Sequence, residues 1–203
     1  MAGKTKKKSK IIILAGVPGS GKTSVAQLAL EKLCNKGKEY DVKYEIVNFG
    51  DVLFEIMKRD GLDLKSKDEI RAKVDQETYV KYQKKAAKEI AERGDNIILT
   101  THLSLMTPSG FFPGLPFHIL KELEPERIII IEAKPEEIRK RQEEDKTRIR
   151  GYDFEKDIAL YQEFNRYYGV AYSALTGARL KIIHNPQGRI LEAVEEFIKA
   201  LTL

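Results

Sequence analysis

The sequence predicts an α/β fold built on a mostly parallel five-stranded sheet with helices on both faces. Short apolar, β-branched runs recur along the chain, and stretches with apolar residues at helical spacing separate them. A glycine-rich turn joins the first such run to the first helical stretch. Strands that alternate with helices must connect by crossovers, which makes neighbouring strands parallel and buries both faces of the sheet.

Lys10–Ala15 is the first strand, Gly16–Gly21 the turn, and Thr23–Lys36 the first helix, with apolar residues at Val25, Ala26, Leu28, Ala29, Leu30 and Leu33. Further strands are expected at Tyr44–Phe49, Asn96–Thr101, Arg127–Glu132 and Leu180–His184. Helices are expected near Asp51–Arg59, Glu69–Arg93, Pro116–Leu123, Pro135–Glu144, Phe154–Thr176 and Arg189–Leu201. The stretch 51–94 holds helix without a strand for longer than one crossover needs, and reads as an inserted helical lobe. The helix at Phe154–Thr176 carries Phe154, Tyr161, Phe164, Tyr167, Tyr168 and Tyr172. This is either an aromatic core stripe or a face for another subunit.

At 203 residues and 42% apolar content the chain suits one domain, residues 11–203, after a basic tail at residues 1–10. One cysteine, Cys34, leaves no internal disulfide and no multi-cysteine zinc site, so a metal would be held by oxygen ligands and phosphates. No apolar run approaches the ~20 residues that span a bilayer, and the expectation is a soluble cytoplasmic protein without a membrane partner. The net charge of +5 belongs to the tail. Lys4, Lys6, Lys7, Lys8 and Lys10 account for five of 36 basic residues, and the remaining 31 equal the 31 acids. A lysine run of this kind reads as a solvated arm, and nucleic acid is not the expected partner. The 33% charged content points to heat adaptation.

Gly16-Val17-Pro18-Gly19-Ser20-Gly21-Lys22-Thr23 fits G-x-x-x-x-G-K-[S/T] between a strand and a helix, the context the motif requires. Its glycines let backbone N–H groups converge on phosphate oxygens at a helix N-terminus. Lys22 would bridge the β- and γ-phosphates of ATP and the Thr23 hydroxyl would ligate Mg²⁺. Arg148 is a further expected ATP contact, and position 24, a serine, is given no role. Arg139, Arg141, Arg148 and Arg150 lie within one short stretch. Acids interleave the first half, which makes Arg139 a surface residue. Arg141, Arg148 and Arg150 are candidates to clamp the migrating phosphate as a loop closes over it.

Taken together, Gly16–Thr23, Asn48–Asp51, Asp68–Arg71, Thr101-His102, Thr107–Pro116, Arg148–Arg150 and Leu175–Gly177 make the chain resemble the archaeal-type adenylate kinases, a branch of the nucleoside monophosphate kinases, from Lys10 to Leu203. Thr107–Pro116 is the most diagnostic stretch, because generic phosphate-loop chemistry does not demand it. The resemblance implies a three-layer α/β/α P-loop NTPase fold, a helical AMP-binding lobe at 51–94 and a short lid at 142–151. It implies the reaction ATP + AMP ⇌ 2 ADP with Mg²⁺, and a homotrimer. It places Arg71 on the AMP α-phosphate, with Asp51 and His102 on the same side. Lys22, Arg141, Arg148 and Arg150 fall on the transferred phosphate, and Asn185 and Pro186 against adenine.

Two positions depart from the family pattern. Thr100 stands where an aspartate precedes Thr-His, so the carboxylate that orients waters on Mg²⁺ is missing, and Asp51 is the nearest substitute. Met106 stands where a basic residue precedes Thr-Pro-Ser-Gly. No confidently placed general base is evident, which suits an acceptor that is already anionic better than a hydroxyl acceptor. Two alternatives follow: another small P-loop kinase for a nucleotide or metabolite, and a nucleotide-dependent assembly ATPase that contacts RNA or ribosomal protein through the tail.

Overall fold

In the computed structural model the described residues are 9–35, 43–107, 110–144 and 158–202, with the side chains of Asp68, Arg71, Ala72 and Thr107 excepted. Five strands form one parallel sheet: β1 (Lys10–Ala15), β2 (Tyr44–Asn48), β3 (Asn96–Thr100), β6 (Arg127–Glu132) and β7 (Arg179–His184), in the order β2-β3-β1-β6-β7. A separate antiparallel pair, β4 (Ser104–Thr107) and β5 (Gly110–Pro113), follows β3. The helices are α1 (Lys22–Asn35), α2 (Phe49–Arg59), α3 (Ile70–Lys73), α4 (Gln76–Ala91), α5 (Phe117–Leu123), α6 (Pro135–Glu144), α7 (Ile158–Thr176) and α8 (Ile190–Thr202).

The sheet separates two apolar layers by the two-residue period of its strands. Ile11, Ile13, Ile97, Leu99, Ile128 and Ile130 face α2, α4, α5 and α7, while Ile12, Leu14, Ile98, Ile129 and Ile131 face α1 and α8. A run such as RIIIIE in β6 is apolar on both sides because both sides are covered.

Five strands are found where the sequence reading put them, to within one residue at their ends, and the α/β class holds. The hairpin β4–β5 was not anticipated. Its short strands carry too few residues for a period-two signal, and it is held by α7 rather than by the main sheet. The expected helix over Glu69–Arg93 is divided. A 3-10 turn at Lys67–Glu69 and α3 end at Val74, which takes an extended conformation, and Asp75 caps α4 by accepting from the Thr78 N–H. The buried residues of α2 and α4, among them Val52, Ile56, Ala86 and Ile90, pack in one cluster with the sheet.

The aromatic stripe of α7 turns mostly inward. Tyr161 and Tyr172 are buried, and Phe164 stacks on Phe111 of β5 at 3.8 Å between ring centroids. The Tyr172 hydroxyl donates to the Leu103 carbonyl at 2.8 Å and accepts from the Leu115 N–H at 3.2 Å, and Tyr161 donates to the Ser104 carbonyl at 3.0 Å. These bonds fasten the chain on both sides of the hairpin to α7. Phe154 lies outside the described residues.

Candidate active site

In a parallel sheet, ligands bind beyond the carboxyl ends of the strands, and there the structure gathers most of the sequence candidates. Asn48 pairs with Thr100, Leu14 with Thr100, and Glu132 with His184, so the strand ends finish almost level. The segments leaving those ends carry Asp51, in the first turn of α2, and Thr101-His102, Gly16–Gly21, Ala133 and Asn185-Pro186.

The glycine-rich loop runs from β1 into α1, and both Gly19 and Gly21 take φ +87°, a conformation that favours glycine. Its carbonyl oxygens are tied down by neighbouring elements. Gln142 Nε2 of α6 donates to the Pro18 carbonyl at 2.6 Å, and Asn185 Nδ2, just after β7, donates to the Ser20 carbonyl at 2.8 Å. Arg141 Nη1 also reaches the Ser20 carbonyl at 3.4 Å, while Lys22 Nζ lies 3.3 Å from the Gly16 carbonyl. Across a planar trans peptide the C=O and the following N–H point in opposite directions. Carbonyls held by α6 and the β7–α8 turn therefore leave the N–H groups of Gly19 and Gly21 directed to the other side of the loop. This is the arrangement that binds anions at a helix N-terminus.

Thr23, in the first turn of α1, is exposed beside Lys22. The motif asks for one hydroxyl after its lysine, and Thr23 supplies it, so Ser24 is free to be an ordinary exposed residue of α1.

Arg141 stands beside the phosphate loop. Besides Ser20 it donates to the Asn185 carbonyl at 2.9 Å through Nη2 and to Gln187 Oε1 at 2.8 Å through Nε. The Asn185 N–H in turn donates to the Glu132 carbonyl at 2.7 Å. Both backbone polar groups of Asn185 thus have protein partners. Arg148 and Arg150 lie outside the described residues, as do positions 145–151 of the expected lid.

On the other side of β1, the Thr101 N–H donates to the Leu14 carbonyl at 3.2 Å, which sets Thr101-His102 against the strand that feeds the phosphate loop. Thr100 is buried, and its hydroxyl donates to the Val47 carbonyl and accepts from Asn48 Nδ2, each at 3.2 Å. It is a strut between β3 and the start of α2. Asn48 caps α2 by accepting from the Asp51 N–H at 3.1 Å, and the half-exposed Asp51 carboxylate pairs with Lys67. Arg71 belongs to α3, directly after the 3-10 turn that carries Lys67. Met106 lies opposite Phe111 in the hairpin.

Sequence reasoning missed a buried charge. Glu132, at the end of β6 and 1% exposed, receives both Nε and Nη2 of Arg166 on α7, at 2.8 and 2.5 Å. The hydrogen bonds to the Glu132 carboxylate raise the Arg166 pKa above its ordinary value. An acid closing a strand of four isoleucines was the available signal. Gln162 Oε1 accepts from the next N–H, of Ala133, at 3.2 Å and holds the same strand end from α7.

A family model described as an AAA domain matches residues 15–159, from the end of β1 through the phosphate loop and across most of the sheet. An adenylate kinase of Methanocaldococcus jannaschii is 41% identical over 96% of this chain and 99% of its own length. One of Methanopyrus kandleri is 43% identical over 94% and 97%. The chain belongs to that P-loop domain family and to the adenylate kinases. An adenylate kinase is a phosphotransferase, which is what a helix-capped, glycine-rich phosphate loop serves. A crystal structure of shikimate kinase from Bacteroides thetaiotaomicron superposes with a TM-score of 0.54 at 15% identity, over 96% of this chain and 99% of that one, which supports the fold alone. Among the described residues no helix is long and apolar enough to cross a membrane.

Proposed function

We propose that this adenylate kinase transfers the γ-phosphoryl group of ATP to AMP, with ATP on the phosphate loop and AMP across the ends of β2 and β3. The observation that carries the reading is the loop whose carbonyls are tied by Gln142, Asn185 and Arg141, so that its N–H groups are directed to an anion before one arrives. Lys22 then spans the β- and γ-phosphates, leaving the Gly16 carbonyl it touches in this structure.

An oxygen of the AMP α-phosphate attacks the γ-phosphorus, and the bond from that phosphorus to the β,γ-bridging oxygen breaks, which leaves two ADP. The attacking oxygen is already anionic, so the step asks for alignment and charge neutralisation rather than for a base. Arg71, with Asp51 and His102 nearby, takes the acceptor side. Arg141, Arg148 and Arg150 neutralise the phosphoryl group in transit, and adenine lies against Asn185-Pro186.

The donor set fits Mg²⁺. The exposed Thr23 hydroxyl and phosphate oxygens are hard ligands, and among the described residues no cluster of three His, Cys, Asp or Glu offers another metal centre. When bound, the ion neutralises charge on the β- and γ-phosphates. Thr100 contributes no carboxylate to it.

Self-association as a homotrimer accords with Tyr167, Val170 and Leu175, which leave apolar surface on α7 exposed. Light scattering of the purified chain tests it, with one mass of three protomers expected and a monomer contradicting it.

The reaction is tested by ADP formation from Mg-ATP with AMP, CMP, UMP, GMP or no acceptor. Strong dependence on AMP is expected. Acceptor-independent hydrolysis, or preference for another acceptor, would overturn the assignment.

A further inference from the structure

We propose that Asn185 is a positioning residue for the phosphate loop, acting through its side-chain amide on the Ser20–Gly21 peptide. The inference rests on the reading of that loop as the ATP site.

Asn185 is buried just past the end of β7, and three of its polar groups are engaged. Its N–H is fixed to the Glu132 carbonyl and its carbonyl to Arg141, so its backbone cannot drift from the loop. Its Nδ2 lies 2.8 Å from the Ser20 carbonyl oxygen. A carbonyl only accepts, so the nitrogen of the amide must be the end that faces it. The other end, Oδ1, is buried and has no hydrogen-bond partner among the described residues. The side chain is therefore placed for donation to the loop, and an unsatisfied acceptor is the result.

The contact leaves no slack. A Cβ at Gly21 would collide with Asn185 Nδ2, so the amide lies directly against the glycine's α-carbon. Gly21 is thus required for its φ and for the approach of Asn185. By gripping the Ser20 carbonyl, Asn185 fixes the plane of the Ser20–Gly21 peptide and with it the direction of the Gly21 N–H. Arg141 shares the same carbonyl at 3.4 Å, too long for it to set that plane alone.

The experiment uses the full chain and measures equilibrium binding of inorganic tripolyphosphate with Mg²⁺, of ATP and of AMP. Wild type is compared with Asn185→Ala and with Asn185→Asp, which keeps the shape and turns the donor into an acceptor. Asn185→Ala is expected to weaken tripolyphosphate and ATP by the same factor, ~ten-fold, with AMP changed less than ~two-fold. Asn185→Asp is expected to lose more than Asn185→Ala, since a carboxylate then faces the Ser20 carbonyl, and it keeps the test open should the alanine variant not fold. Unchanged tripolyphosphate binding in the variants overturns the proposal, whether or not ATP binding falls, as does an equal loss for AMP. Wild type that binds neither polyphosphate nor ATP would overturn the site reading itself, and this inference with it.

Discussion

The two sides of the cleft are fastened in different ways. On the phosphate-loop side, donors from α6 and the β7–α8 turn grip backbone carbonyls in buried or half-buried positions. On the side of α2 and α3, where the apolar faces of α2 and α4 pack under the sheet, the charged side chains meet in largely exposed ion pairs: Lys67 with Asp51, Lys73 with Glu69 and Lys85 with Asp60. Exposed pairs contribute about 0–1 kcal/mol and weaken in salt, whereas a gripped peptide keeps one orientation. In the proposed reaction this difference gives a donor site built before ATP arrives and an acceptor side whose polar pairs are the weaker ones.

The strongest test of that contrast removes the loop's cation. Lys22→Ala should lower kcat/KM for ATP by ~10²–10³ with a thermal midpoint close to wild type, measured by ADP formation and by calorimetric melting. A large fall in melting temperature would show that the loop is structural first.

Next in size is Tyr172→Phe, which strands the Leu115 N–H and leaves the Leu103 carbonyl with the Gly114 N–H as its remaining donor. Chemical denaturation should show a loss of about 1–3 kcal/mol. Burial raises the Tyr172 pKa above its ordinary value of 10.0. The folded state therefore keeps a proton that the unfolded chain releases, and the stability from this group is present below pH 10.0 and declines as pH rises beyond it. Tyr172→Phe should be less sensitive than wild type in that alkaline range.

Asp51→Asn should change stability by under ~1 kcal/mol, since it breaks one half-exposed pair, yet raise KM for AMP several-fold with KM for ATP unchanged. Equal changes in both constants would erase the contrast between the two sides.

The smallest effect is expected from Glu196→Gln. Hydrogen bonds from Lys181 and then Lys199 lower the Glu196 pKa from 4.5 to about 2. A depressed carboxylate stabilises the fold above its unfolded pKa, and that contribution is lost as pH falls from 4.5 toward 2. The variant should melt slightly below wild type at pH 7 and match it near pH 2.

The sheet was legible because strands buried on both faces write themselves as unbroken Ile and Leu runs, as in β1 and β6. The phosphate loop was legible because glycine, lysine and threonine have few substitutes at that spacing. Thr100 was legible as a departure, but its work as a strut to Val47 and Asn48 depends on β2 lying beside β3, which spacing does not reveal. Glu132 carried one local signal, an acid closing a run of isoleucines, but its pairing with Arg166 and the grip of Gln142 and Asn185 on the phosphate loop join residues far apart in the chain, which spacing does not reveal. The hairpin was hidden for a similar reason: its support comes from Tyr161, Phe164 and Tyr172, one element away in space and many residues away in sequence.

The central claim is that ATP and AMP occupy two sites, one on the phosphate loop and one across β2 and β3. Calorimetric titration of ATP and AMP, apart and together, into wild type and Lys22→Ala tests it most directly. The account predicts that both bind wild type at once, and that Lys22→Ala loses ~ten-fold or more for ATP while AMP affinity stays within ~two-fold. Competition between the two nucleotides for one site, or equal losses for both in Lys22→Ala, would contradict it.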